Sequence, residues 1–85
     1  MDIRVFYRIM PVKAPVRFAR VESYPTYEQA RIRLEEIIYA LDTEKYPEMV
    51  TYKIERMKVS ASTTLRKTVC TISWYQGFRN GKESL

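Results

Sequence analysis

Hydrophobic and polar positions alternate from the start of the chain. Ile3, Val5, Tyr7 and Ile9 fall on one side of an extended segment, and Arg4, Phe6 and Arg8 on the other. Period two over this length predicts a half-buried strand. Pro11 and Pro15 then predict a turn, because proline donates no backbone hydrogen bond and restricts the residue before it. Val16 to Glu22 reads as a second, weaker strand returning from that turn.

The period changes after Pro25. Ala30, Leu34, Ile37, Ile38 and Leu41 recur at i, i+4, i+7, i+8 and i+11, which draws one apolar stripe along a helix from about Tyr27 to Leu41. Thr26, three residues before Gln29, fits a capping box in which each side chain satisfies an unpaired backbone donor. Arg31 and Glu35 make an i,i+4 surface pair. Pro47 ends the segment, so Asp42 to Glu48 is an exit loop.

Alternation resumes with Val50, Tyr52 and Ile54, and its phase shifts to Met57 and Val59, the mark of a bulge or a strand end. Ser60 to Thr64 is a turn region, and Thr68 to Tyr75 is rich in β-formers. In that last strand Cys70, Ile72 and Trp74 alternate with Val69, Thr71, Ser73 and Tyr75. Gly77 to Leu85 reads as a frayed polar tail.

The expectation is an α+β two-layer sandwich in the order β-β-α-β-β. A four-stranded, mainly antiparallel sheet carries one helix on one face, as a domain over residues 1–76 with a tail over 77–85. A helix with one apolar stripe covers one sheet face and leaves the other to solvent or a partner.

Composition narrows the function classes. The net charge is +5, but it is unevenly placed: residues 1–22 carry +3, residues 23–48 carry −3 and residues 49–85 carry +5. The helical segment is acidic and its surroundings basic, which favours an acidic partner, nucleic acid foremost; the alternative is a solvated surface kept soluble by its charge. No histidine is present, so the commonest general base and metal ligand are missing. The single cysteine, Cys70, excludes an internal disulfide and sits in an apolar strand pattern, as a structural thiol does. Glu35 and Glu36 diverge by about 100° around a helix axis and make no catalytic pair. Gly77 and Gly81 cannot form a phosphate-binding loop, and their G-x-x-x-G spacing is not the G-x-x-G clamp of KH domains. No catalytic residue, metal or cofactor is expected. No basic-then-apolar leader opens the chain, and no apolar run approaches the roughly 18 residues of a membrane span. A reducing, cytoplasmic setting without membrane contact is the expectation.

Two binding readings follow. In the first, Arg4, Phe6 and Arg8 present cations around a ring on the bare sheet face, joined by Arg17, Lys53, Lys67 and Tyr75 if the strand registers agree. Bases stack on such rings and phosphates meet the cations, so RNA or single-stranded DNA is the expected partner, RNA first. The competing account makes Phe6 a minor-core or dimer contact among ordinary solvated arginines. In the second, seven tyrosines and the run Trp74, Tyr75, Phe78 and Arg79 point to a protein interface, since Tyr and Trp are enriched there. An acidic protein surface is the partner in that case, with the chain as an inhibitor or regulatory subunit. Unpaired sheet edges also make a homodimer possible. In size, charge and lack of a catalytic motif the chain resembles compact single-domain proteins encoded by bacteriophages and other mobile elements. That resemblance covers no specific residues and implies only a protein that works by binding.

Overall fold

The computed structural model describes residues 2–84; Met1 and Leu85, the outer ends of the expected 1–76 domain and 77–85 tail, lie outside the described residues. Strands β1 (Arg4–Lys13), β2 (Glu22–Tyr24), β3 (Val50–Val59), β4 (Thr64–Tyr75) and β5 (Phe78–Glu83) accompany one helix, α1 (Tyr27–Thr43). They form a single antiparallel sheet in the order β2-β1-β3-β4-β5. The α+β architecture with one helix on an antiparallel sheet is as expected, with five strands rather than four.

Helix α1 forms where the apolar stripe lies, and all five stripe residues are buried. They pack on Ile9, Val50, Tyr52, Ile54, Cys70, Ile72 and Trp74, the apolar positions of β1, β3 and β4. The Thr26 hydroxyl accepts from the Gln29 backbone N–H at 3.2 Å, so the predicted cap is present in half. The Gln29 amide oxygen lies 3.1 Å from the same hydroxyl and does not return a bond to the backbone. At the other end the Tyr46 N–H reaches the Leu41 carbonyl and the Lys45 N–H the Asp42 carbonyl. This Schellman closure puts Lys45 at φ 56°, a conformation glycine would adopt at lower cost.

Four local expectations need correction. Val16 to Glu22 is not a strand: Val16–Phe18 curls into one 3-10 turn after Pro15, and β2 keeps only Glu22–Tyr24. The turn is docked by the Tyr52 hydroxyl, which donates to the Phe18 carbonyl at 2.9 Å. Strand β1 runs through Pro11 to Lys13, which is possible because β2 pairs it only at Tyr7, Arg8 and Ile9, and the register slips beside Pro11. The bulge lies in β4 rather than β3: Ile54 pairs with Cys70 and Glu55 with Thr68, leaving Val69 unmatched. Val69 and Cys70 therefore both point into the core. Finally, Phe78–Glu83 is not a frayed tail but β5. Gln76 and Gly77 turn into it at φ 47° and 86°, the two positive values of a type I′ hairpin.

Candidate nucleic-acid interface

Residues paired across an antiparallel sheet share a face, so the registers define the side that α1 leaves bare. Its rows run Arg4–Val59–Thr64, Phe6–Met57–Arg66, Arg8–Glu55–Thr68 and Met10–Lys53–Thr71–Lys82. Lys13, Thr51, Ser73 and Asn80 follow, and Tyr75 and Phe78 close the face at the β4–β5 turn. Among the described residues of this face, six cations (Arg4, Arg8, Lys13, Lys53, Arg66 and Lys82) thus meet one carboxylate, Glu55, which Arg8 binds at 2.9 Å.

The face has an apolar floor beneath these charges. Met57 is only 4% exposed yet stands apart from the cluster under the helix, because it lies on the opposite side of the sheet. Phe6 is its cross-strand neighbour, and the Arg4 guanidinium sits 5.4 Å from the Phe6 ring centroid. This is cation–π geometry. Hydroxyls lie between these groups: the Thr51 and Ser73 side chains share a 2.9 Å hydrogen bond, with Thr64, Thr68 and Thr71 on the same face.

The expected residues divide accordingly. Arg4, Phe6, Arg8, Lys53 and Tyr75 do share the bare face. Arg17 does not. It belongs to the 3-10 turn on the helix side, pairs with Glu44 and lies 5.4 Å over the Phe18 ring. Lys67 does not either, because the Val69 bulge reverses the facing of every residue before it, placing Lys67 opposite Arg56 on the helix side. The same reversal brings Arg66 onto the bare face in its stead. Trp74 is 3% exposed and belongs to the core, so it offers no interface anchor. Arg79 faces α1 and is held by Glu35 through both terminal guanidinium nitrogens. Tyr75 and Phe78 are the exposed pair of that run, at 47% and 81%. Lys13, Arg66, Lys82 and Met57 were missed in the sequence, and only the strand pairing identifies them.

The helix side treats charge differently. Arg33 binds Glu22 at 2.8 Å and Glu36 at 3.4 Å, and Arg31 binds Glu35 at 3.0 Å and Glu83 at 3.6 Å. The Arg79 hydrogen bonds outweigh partial burial and hold the Glu35 carboxyl below its ordinary range. Partial burial raises Glu22, but hydrogen bonds from Arg33 and Tyr24 overcome it and the net shift is downward. Burial pushes the Tyr52 phenol up to about 12 and raises the Cys70 thiol, which keeps that thiol protonated and poorly nucleophilic.

A cleft of about 520 Å³ opens between the end of α1 and the β4–β5 turn, lined by Asp42, Lys45, Tyr46 and Trp74 among others. Its charges are mixed and it lies away from the basic rows. Among the described residues no cluster of three or more His, Cys, Asp or Glu could hold a metal, and no helix is long and apolar enough to cross a membrane. No family model, curated protein or solved structure matches the chain.

Proposed function

We propose that this protein binds single-stranded nucleic acid, RNA before DNA, on the bare face of its sheet, and acts by binding rather than by catalysis. One observation carries the reading: the strand register puts six cations on the face that holds Phe6 and Met57, with Glu55 the only acid in those rows among the described residues. Arg4, Lys13, Lys53, Arg66 and Lys82 form no salt bridge among the described residues, so their charge is available to phosphates. Phe6, Tyr75 and Phe78 offer rings on which unpaired bases stack, and the threonine and serine hydroxyls suit phosphate oxygens and the 2′-hydroxyl.

Titration of a fluorescent mixed-sequence single-stranded RNA at low ionic strength tests this, with single-stranded and duplex DNA as competitors. Saturable binding that salt weakens steeply, displaced better by single strands than by duplex, is the expected result. No binding at low ionic strength overturns it. The exposed Tyr75 and Phe78 support a second reading, a protein-interaction module, in which a partner is retained from lysate after nuclease treatment.

A further inference from the structure

Strand β5 ends the sheet, and its hydrogen-bonding pattern assigns the unused side. In a two-residue hairpin the closing pair, Tyr75 and Phe78, exchanges both backbone bonds. Alternation then turns the groups of Phe78, Asn80 and Lys82 towards β4, in phase with the Ser84 N–H that reaches the Val69 carbonyl at 2.8 Å. The N–H and C=O groups of Arg79, Gly81 and Glu83 consequently point outward along the free edge.

We propose that this edge pairs antiparallel with the β5 edge of a second copy of the chain, centred on Gly81. Of the registers a two-fold axis allows, this one sets Arg79 opposite the partner's Glu83, Gly81 opposite the partner's Gly81 and Glu83 opposite the partner's Arg79. It is the register that satisfies all the outward groups of those three residues at once. It also sets Arg79, already paired with Glu35, beside the partner's Glu83, already paired with Arg31, so that no like charges face each other across the seam, while Lys82 meets the partner's Asn80. A slip by two residues loses a hydrogen-bonded pair and separates Arg79 from Glu83. The charges that protect the edge from other strands thus select this one.

The surroundings permit the approach. Helix α1 packs its backbone chiefly over β1, β2 and β3 and reaches β5 through the side chains of Tyr27, Arg31 and Glu35 on the helix face, while β5 stays the last strand of the sheet with no strand beyond it. Strand β5 contains neither proline nor a bulge. Because the axis is perpendicular to the sheet, both helices lie on one side and both bare faces on the other. The product is a continuous ten-stranded sheet.

The test is the molecular mass of the nuclease-treated full chain by sedimentation equilibrium, across a dilution series from millimolar to submicromolar, without nucleic acid. A concentration-dependent dimer of twice 10.2 kDa is expected, and a monomer throughout overturns the proposal. Gly81→Pro removes an outward N–H and none that β4 uses. It should weaken dimerisation about tenfold or more, two ordinary hydrogen bonds by symmetry, with unchanged far-ultraviolet circular dichroism. Gly81→Cys reads the register directly. A Cβ there meets only ordinary contact with Ile72 at 3.7 Å. Cα atoms of a hydrogen-bonded pair lie about 5.5 Å apart, within disulfide reach. Mild oxidation should give a covalent dimer of Gly81→Cys but not of Ser62→Cys at the β3–β4 loop. A dimer that survives Gly81→Pro and leaves Gly81→Cys unlinked uses another surface and overturns the proposal. Because no nucleic acid is present, these outcomes stand apart from the RNA-binding result.

Discussion

The two faces of the sheet carry similar residue types and use them in opposite ways. On the helix side, arginines at positions 17, 31, 33 and 79 are each matched to a carboxylate of α1, its C-cap, β2 or β5, whereas the exposed Arg56, Lys58 and Lys67 form no salt bridge among the described residues. On the bare side, five of six cations have no acid partner among the described residues. Apolar burial is divided just as unequally. The helix side holds the main core, and among the described residues the bare side buries only Met57, beside Phe6. The ground around α1 is therefore built to be stable, while the bare face keeps most of its charge uncompensated, which costs folding energy through self-repulsion and favours an anion.

Substitutions can break that contrast. The largest effect belongs to the covered face: Leu34→Ala opens a cavity in a fully buried position and should lower unfolding free energy by about 3 kcal/mol in urea titrations. Phe6→Ala should leave stability much less affected but weaken single-stranded RNA binding by about 1–3 kcal/mol, one stacked base. A stability loss from Phe6→Ala equal to that of Leu34→Ala, with RNA affinity unchanged, would make Phe6 a core residue only.

A smaller, opposite effect is expected at the helix end. Lys45→Gly relieves the positive φ and should stabilise the fold by about 0.5–1 kcal/mol without touching RNA affinity. Acid should act on the helix side through Glu35 and Glu22. Glu35 and Glu22 have folded values below the ordinary 4.5, so their contribution is complete above that value and fades as pH falls through the lowered range. Urea midpoints should accordingly decline below about pH 4.5, less so in Glu35→Gln, which has already lost the titrating group.

The helix was legible because its stripe follows one period for about three turns, and local signals at Thr26 and Pro47 agree with it. Strand β1 was legible for the same reason, and with it the shared face of Arg4, Phe6 and Arg8. What escaped was controlled by single residues whose effect depends on partners. Val69 is an unremarkable β-former, but as a bulge it exchanges Lys67 for Arg66 on the bare face. Gln76 is a poor marker of a type I′ turn, where Asn or Asp is the usual signal, so β5 was hidden behind it. Val16 to Glu22 alternates weakly, and Tyr52, thirty-four residues from Phe18, holds it as a turn instead. Such choices belong to pairing and packing, and a pattern along one segment does not contain them.

The central claim is that the uncompensated cations of the bare face bind a phosphate backbone, and the salt dependence of RNA binding tests it most directly. Wild type, Arg4→Ala/Lys53→Ala/Arg66→Ala and the helix-side control Arg31→Ala/Arg33→Ala should be titrated with the same single-stranded RNA over a range of salt. The triple variant should lose about 2 from the magnitude of the logarithmic salt slope, near 0.7 for each lost phosphate contact, while the control keeps the wild-type slope. Equal slopes for the triple variant and wild type, or a larger change in the control, would contradict the account.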